Sequence, residues 1–487
     1  MGVVQRQGIK NTISSYVGIL LGFISLIIIQ PHFLRPEEIG LARVLFAFST
    51  LISTFIPIGV TNIAMKYFPV FKDEKSGHHG FLGFMLLYLV VGFLIAAGGL
   101  LIFREFIISQ YRRESPLITD FYYYIIPFSF FLGLVAVLNS YLIALFKSSA
   151  TSYFNDVFVR LGYIALIFLY YFKILTLQQF IGGYIVIYIL QFFLLVIYMK
   201  SVDRPSLKID WDFFQKQGLG TMIQFGLLLS LTGMASLGLK TLDSVLLGKF
   251  KALNFVGIYT IVAFIPTIIE TPLTALERIT AAKMAHAYSE ARIDELKNVF
   301  YKSVKYLSVI GGLLFIGVNT NIEFLLHFIG KDYSDASAVV YIISVGSLIT
   351  MFGGSSNPLL VYTSKPWQGA LMLILLVIVT FLCNFLLIPR LGINGAALST
   401  AISALLFTGA KFYINYHRFG FQPYDGNSLK VIFIVALCAV INYFLPVLSS
   451  DFINILIRSV LLGGLYIGLV YYFQILPELN RFVPWHR

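Results

Sequence analysis

Two stretches of this chain, Tyr123–Lys147 (YYIIPFSFFLGLVAVLNSYLIALFK) and Tyr341–Lys365 (YIISVGSLITMFGGSSNPLLVYTSK), decide how it folds. At an offset of 218 residues Tyr123 meets Tyr341, Ile125 meets Ile343, Ser129 meets Ser347, Asn139 meets Asn357, Leu142 meets Leu360 and Lys147 meets Lys365. Isoleucines and leucines coincide freely between apolar sequences, but Tyr, Asn and Lys do not. At the neighbouring offset of 217, Gly40 meets Gly257, Ile52 meets Ile269, Thr54 meets Thr271 and Ala64 meets Ala281, and one insertion reconciles the two registers. The chain therefore reads as an internal duplication.

The solvent of the duplicated unit follows from composition. Of 487 residues 58% are hydrophobic and only 12% charged, with a mean hydropathy of +0.85. Soluble domains carry about 25% charged residues, so most of this chain faces lipid or the interior of a helix bundle. Grouping the apolar runs gives fourteen candidate spans, at about 9–29, 39–60, 80–103, 121–146, 153–171, 178–198, 220–247, 254–274, 303–328, 336–362, 367–388, 394–414, 431–448 and 453–473. Each is long enough to cross about 30 Å of hydrocarbon as a helix. Pro127, Pro266, Pro272 and Pro358 are expected to kink or tilt their spans. The first run has a basic head but no small-residue cleavage site after it, so it is expected to be a retained span.

With the N-terminus inside, the cytoplasmic segments hold more than twice as many Lys and Arg as the opposite side, so both termini are expected in the cytoplasm. Trp211, Trp367 and Trp485 then lie at or near the cytoplasmic interface, where an indole is favoured. The formal charge of +12 is spread over short loops and forms no nucleic-acid patch. Cys383 and Cys438 fall in apolar runs without metal-ligand spacing and are expected to pack. His32, His78, His79, His286 and His417 likewise show no metal spacing and read as loop or interface residues.

Placing the fourth span over the tenth requires a six-plus-six duplication. Six is even, so the two copies enter from the same side and are related by an axis along the membrane normal. The expected organisation is an N-lobe over 1–199, a cytoplasmic interlobe linker over 200–218, a C-lobe over 219–415, and an unduplicated helix pair with its tail over 416–487. The stretch 281–300, with Met284, Tyr288, Leu296 and Phe300 among charges, reads as an interfacial amphipathic helix.

The arrangement of six, six and two spans, the run Asn384–Ala397 (NFLLIPRLGINGAA), and Glu38-Ile39-Gly40 entering the second span resemble the polysaccharide flippases of the multidrug/oligosaccharidyl-lipid/polysaccharide exporter superfamily. The resemblance implies an all-α polytopic fold, two six-helix lobes in a V around a central cavity, and two C-terminal helices. It also implies passage of an undecaprenyl-diphosphate-linked oligosaccharide, for O-antigen or another surface polysaccharide, from the cytoplasmic to the periplasmic leaflet of a bacterial inner membrane. Polysaccharide polymerase and chain-length machinery would be its partners.

Such a cargo presents negative charge, hydroxyls and an apolar tail. An ionisable residue in hydrocarbon costs about 2.5–3.5 kcal/mol even on the lenient insertion scale, so it faces a cavity or a partner. Arg43 near the outer end of the second span and Lys240 in the seventh are candidates for the diphosphate, although Lys240 and Asp243, at i and i+3, also read as a neutralising pair. Arg160 in the fifth span reads either as a cavity cation or as a snorkelling side chain. Lys66, with Asn62 one turn earlier, stands where cargo would enter, or serves as a topology lysine. Asn139 and Asn357 read as interhelical hydrogen-bonding residues or sugar ligands. Glu270, between Pro266 and Pro272, is the candidate for proton or sodium coupling, with Asp243 second, and pairing of Glu270 with a neighbouring cation is its structural alternative. No cofactor is expected.

Other classes fit less well. Asp210-Trp211-Asp212 is a D-x-D without a donor-binding domain around it, which disfavours a glycosyltransferase. The longest loop on the outer side, 104–120, is too short for a polymerase. No G-x-x-x-x-G-K-[ST] run is present to bind ATP. Within transport, a cation-coupled multidrug exporter would place acids in the first six spans, where only Asp156 is interior. A lipid II flippase is disfavoured by the absence of charge between Thr12 and Ile29.

Overall fold

The computed structural model describes residues 14, 16–57, 59–363, 366–446 and 450–476, without the side chains at 228–229, 231–236, 240 and 361–370. The protein is an all-α polytopic membrane protein, with no strand among the described residues. Twelve helices there are long and apolar enough to cross a membrane, thirteen when Leu253–Val262 and Thr267–Ser289, bent by 53° at their break, are counted together as one span. The expected seventh span lies in a helix of 32 residues, Leu219–Phe250.

The first half runs through α1 (Tyr16–Phe33), α2 (Pro36–Phe55), α3 (Val60–Phe71), α4 (Phe81–Ile102), α5 (Ile125–Ala144), α6 (Ser148–Tyr171), α7 (Leu177–Val202), the short α8 (Trp211–Lys216) and α9 (Leu219–Phe250). The second continues with α10 (Leu253–Val262), α11 (Thr267–Ser289), α12 (Ile293–Asn319), α13 (Ile322–Ile329), α14 (Ser337–Phe352), α15 (Ser356–Thr363), α16 (Pro366–Leu391), α17 (Ile393–Phe419), α18 (Gly426–Phe444) and α19 (Asp451–Tyr472). Pro127 and Pro358 occupy the first turns of α5 and α15, and Pro266 is the N-cap of α11. These three begin helices, where a missing N–H costs nothing, and Pro266 lies in the break where Leu253–Val262 and Thr267–Ser289 are bent by 53°. Of these four prolines only Pro272 lies inside its helix.

The second span of each repeat is discontinuous, α2 with α3 and α10 with α11. In the first, the break is fixed by Gly59, at φ +74°, because a Cβ there would stand 2.0 Å from the Gly226 carbonyl oxygen of α9. The starts of α2 and α10 cross at repeat-related glycines. A Cβ on Gly40 would lie 2.0 Å from Leu253 O, and one on Gly257 would lie 1.8 Å from Pro36 O. Pro36 and Leu253 are themselves 217 residues apart, so each helix start receives the glycine of the other in a pseudo-two-fold contact.

The chain packs as two compact units that divide at Gly257, a first over 1–257 and a second over 258–487. The division lies beyond the polar stretch 200–218 because α9 packs along α2 and α3. In the first unit α5 is central, packed by α2, α3, α4 and α7. In the second, α14 packs on α17, α12 and α11, while α18 and α19 pack together and against α12. Tyr466 of α19 donates to Val309 O at 2.8 Å, and Gly312 leaves the space its hydroxyl fills.

The stretch 281–300 is not an interfacial helix. It is the turn between α11 and α12, made at Glu290–Arg292 with Ala291 at φ +55°. Met284, Leu296 and Phe300 are buried with Ala287, Val304, Leu359 and Phe421, so their apolar face meets protein. The sequence pattern was amphipathic because one side is core, not because one side is lipid.

Candidate functional site

In the first unit, Gly18 and Gly22 of α1, one turn apart, face Asp156 and Arg160 of α6, also one turn apart. A Cβ on Gly18 would lie 2.6 Å from the Asp156 Cβ, and one on Gly22 would lie 2.4 Å from Arg160 Nη1. The glycines open the space that a charged pair needs between two apolar helices. Both helices carry a π-helical turn here, Ile24–Ile29 and Tyr153–Phe158, a distortion that recurs at functional sites. Arg160 thus lies against α1, half-buried, and does not snorkel along its own helix.

Arg160 is within electrostatic reach of Asp156 and of Tyr188 on α7. Tyr188 adjoins Tyr184, with ring centroids 5.9 Å apart, and Tyr184 adjoins Tyr163 at 4.6 Å. Arg43 is within electrostatic reach of Tyr163 and Tyr184, and its Nε donates to Ser244 Oγ of α9 at 3.3 Å. Two guanidinium groups from separate helices therefore lie within electrostatic reach of one tyrosine cluster in a single unit, with Asp156 also in reach of Arg160. Guanidinium and phenol groups together offer N–H and O–H donors and positive charge in low dielectric, which suits a phosphate or another anion.

One to two turns toward the N-terminal end of α6 is an amide cluster. Asn155 Oδ1 accepts from Asn139 Nδ2 at 3.1 Å and from Gln191 Nε2 at 2.6 Å. The Asn139 Oδ1 and Gln191 Oε1 oxygens are buried without a hydrogen-bond partner. Asn139 thus bonds between helices, one of its two readings, while Asn357 is exposed at the second residue of α15. Asn62 is half-buried on α3, and Lys66 is exposed with its ammonium 3.8 Å from the Phe225 ring centroid. Asp243 is half-buried next to Ser244. The side chain of Lys240 lies outside the described residues, as do Trp485 and the side chain of Trp367.

In the second unit Glu270 is half-buried on α11. It and Glu277 act on Lys411 of α17, which is only 5% exposed. A neighbouring cation for Glu270 was the structural alternative, and Lys411 supplies it.

The loop 72–80 is latched to the polar stretch 200–218. His78, buried, accepts the Asp73 N–H on Nδ1 at 3.1 Å, which leaves its Nε2–H to donate to Asp203 at 3.0 Å. Tyr141 donates to the other Asp203 oxygen at 2.5 Å. Burial pushes the Asp203 carboxyl up, but the bonds from Tyr141 and His78 outweigh it and hold the group below the usual carboxylate range. His79 bonds to Asp210 at 3.0 Å and stacks on Phe213 at 3.7 Å, and the bond from His79 lowers the Asp210 carboxyl. Asp210 also caps α8 by accepting the Phe213 N–H, so this acid of the D-x-D has a structural task. No group of three or more potential metal-ligating side chains occurs among the described residues.

Lys411, Glu277 and the three tyrosines were not singled out from sequence. Lys411 lies near the end of an apolar run, where a lysine reads as a topology signal, but α17 continues to Phe419 and carries it inside. Tyr184 and Tyr188 at i and i+4, opposite Arg160 and Tyr163 at i and i+3, were the available signal.

No family model matches the chain. Among curated proteins it is 26% identical over 175 residues to the capsular polysaccharide biosynthesis protein CapF of Staphylococcus aureus, a match covering 34% of this chain and 42% of that protein. Among solved structures it superposes on the lipid II flippase MurJ in an inward closed conformation with a TM-score of 0.73 at 14% identity, covering 96% of this chain and 100% of that one. An inward-facing multidrug resistance MATE family transporter matches with a TM-score of 0.65 at 13% identity, over 83% of this chain and 94% of that one. A transporter of the MOP superfamily from Pyrococcus furiosus matches with a TM-score of 0.55 at 14% identity, over 86% and 95%.

Proposed function

Because the chain carries the fold of MurJ and the MATE transporters of the MOP superfamily, we propose that it is a flippase for an undecaprenyl-diphosphate-linked oligosaccharide. It moves this cargo from the cytoplasmic to the periplasmic leaflet of a bacterial inner membrane by alternating access, for surface polysaccharide synthesis. The observation that carries the reading is that Arg43 and Arg160 lie within electrostatic reach of the Tyr163, Tyr184 and Tyr188 cluster. Guanidinium groups offer charge and planar N–H donors of the kind that recognise a diphosphate. A pocket for cationic drugs would need the opposite sign. The partial likeness to a capsular polysaccharide biosynthesis protein supports the same cargo class.

In this reading Arg43 and Arg160 hold the diphosphate, Asn62 and Asn139 meet sugar hydroxyls, and Lys66 and Lys240 attract the anion along the way. Asn357 is the repeat counterpart of Asn139. The repeats over 1–199 and 219–415 exchange access, joined by 200–218, with 416–487 as an accessory pair. Both termini are cytoplasmic, and a polymerase with its chain-length machinery receives the product. Uphill movement draws on protons or sodium, with Glu270 as the primary coupling acid and Asp243 as the second.

Deletion in the native host should leave lipid-linked repeat units in the cytoplasmic leaflet. Normal surface polysaccharide after deletion, with no redundant homologue, overturns the proposal. The full-length superposition on MurJ favours lipid II as the second reading, and accumulation of peptidoglycan precursors in the same deletion strain would select it.

A further inference from the structure

A cavity of about 410 Å³ lies at one end of the second unit, where α12, α13, α14, α18 and α19 come together. Asn319 in its wall is the last residue of α12, Asn442 stands just before the end of α18, and Arg458 is two turns into α19. The cavity is therefore at the level where spanning helices leave the hydrocarbon, which is the level of lipid headgroups. Tyr443, 83% exposed, lines its mouth, a place where an amphipathic ring is favoured.

Two of the lining side chains carry charge, Arg458 and Glu323. Arg458 is only 7% exposed. Its Nη1 donates to Asn442 Oδ1 at 2.6 Å, and its Nη2 donates to Leu445 O at 3.0 Å and Pro446 O at 3.3 Å. The guanidinium thus satisfies carbonyl groups left over at the end of α18, and it lies 5.2 Å from the Phe324 ring centroid. Its Nε–H is enclosed without a partner. Asn319, equally buried, donates from Nδ2 to Phe315 O at 2.8 Å, and its backbone carbonyl accepts the Tyr341 hydroxyl at 3.2 Å. Its Oδ1 is left without a partner. Glu323, exposed in the first turn of α13, completes the set. Asn321 Nδ2 donates to Ser459 Oγ at 2.9 Å and His327 bonds to Asp451 at 2.6 Å, so α13 is fastened along α19 on both sides of Glu323. Neither Glu323 nor Arg458 forms an ion pair among the described residues.

The wall therefore offers one charge of each sign, one unused donor and one unused acceptor, with no net charge. That is the complement of a dipolar group carrying a cation and an anion a few bonds apart. We propose that this cavity binds a membrane phospholipid with a phosphoethanolamine headgroup, its ammonium on Glu323 and Asn319 Oδ1 and its phosphate on Arg458. A primary ammonium brings three N–H donors, enough to serve an acid and an amide oxygen together. A trimethylammonium headgroup has no N–H and would leave Asn319 Oδ1 unpartnered. An anionic headgroup without an amine would meet Glu323 as a like charge. The volume falls within the range of about 300–1,000 Å³ usual for small-molecule sites. Phe315, Phe324 and Leu445 supply apolar wall for the glycerol end, and the tails leave past Tyr443. A lipid held here joins α13 to the ends of α18 and α19 and stabilises the folded protein by linkage. The cargo has no part in this, so the site is independent of the function proposed above.

The test uses the purified full-length protein in nanodiscs made with equal amounts of dioleoyl phosphatidylethanolamine, phosphatidylcholine and phosphatidylglycerol. Native mass spectrometry of the released protein reads which lipid stays bound, and addition of each lipid to the detergent-solubilised protein reads its effect on Tm. Phosphatidylethanolamine is expected to be retained over the other two by about tenfold, the lower end of what a hydrogen bond to a charged group gives, and to raise Tm. Glu323 is exposed and holds no other side chain among the described residues, so E323Q is expected to fold with an unchanged Tm in the absence of lipid and to lose both effects. E323K, which sets a like charge against the ammonium, is expected to lose them too. E290Q, which removes an exposed acid at the α11–α12 turn of the same unit, is expected to keep both. The proposal is overturned if phosphatidylethanolamine is not the lipid preferred, or if E323Q keeps the preference. It is also overturned if glycerophosphoethanolamine, the same headgroup without tails, displaces the lipid at equal concentration, which would make this a site for a soluble amine.

Discussion

The crossing of α2 and α10 can be tested by adding one carbon. In G257A the new Cβ would stand 1.8 Å from Pro36 O and 2.6 Å from Pro36 C, both backbone atoms that cannot rotate aside. Ordinary contact begins at 3.4 Å, so the helix starts must separate by about 1.6 Å or the contact must be abandoned. Overpacking of this kind costs about 1–3 kcal/mol, enough to depopulate a conformation about 5- to 150-fold. The intrinsic preference of a helix for Ala over Gly works the other way by about 1 kcal/mol, so G98A, whose Cβ would meet nothing within 4 Å, is the proper control. The assay is a distance distribution between spin labels at E37C and N254C, both exposed and themselves 217 residues apart, in a C383A/C438A background. A shift of population to longer distance is expected in G257A and in G40A, whose Cβ would lie 2.0 Å from Leu253 O, but not in G98A. Identical distributions in all three would refute the reasoning that these glycines permit the crossing.

Replacing Arg160 by Gln should lower translocation of the lipid-linked cargo by at least about tenfold, since a lost charge-assisted bond is worth about 1.5–3 kcal/mol. R160K should restore it only in part, because an ammonium lacks the planar fork, and vesicle assays with fluorescent cargo read both. D203A leaves buried His78 and the Tyr141 hydroxyl without their shared acceptor and should lower the melting temperature of the purified protein, each unpaired group costing about 1–3 kcal/mol. The folded Asp203 carboxyl lies below its ordinary value, so its contribution is complete above the unfolded value and fades as pH falls through the folded one. The melting temperature of the native protein should therefore drop in acid by more than that of D203N. E270Q should flatten the pH dependence of transport in vesicles, and an unchanged profile removes Glu270 from coupling.

The membrane fold was legible because length and apolarity alone set the spans, and the duplication because Tyr, Asn and Lys repeated in one register. Which polar residues come together was much less legible. Arg160 fits two readings until Gly22 on another helix is seen to make room for it. Lys411 was hidden by the convention that a lysine at the end of an apolar run marks topology. Met284, Leu296 and Phe300 form an amphipathic pattern that lipid and protein explain equally well, and only the packing of Phe421 over them decides. Periodicity tells which face of a helix is apolar but not what covers it.

The repeat also separates what duplication preserved from what it did not. Gly40 and Gly257 are both kept, because each makes the same backbone contact from its own side. The charges are not kept. In the same registers Arg43 corresponds to Thr260 and Arg160 to Ile378, while Glu270 corresponds to Ser53, Glu277 to Val60 and Lys411 to Phe193. A charge needed for packing would be required in both copies, since the helices around it are common to both. Charges confined to one copy have to be explained by what that copy alone does. The first unit holds its cations beside tyrosines, and the second has its acids within electrostatic reach of a lysine. This asymmetry is the one the flippase proposed above requires, one half gripping an anionic cargo and the other taking up the ion that drives it.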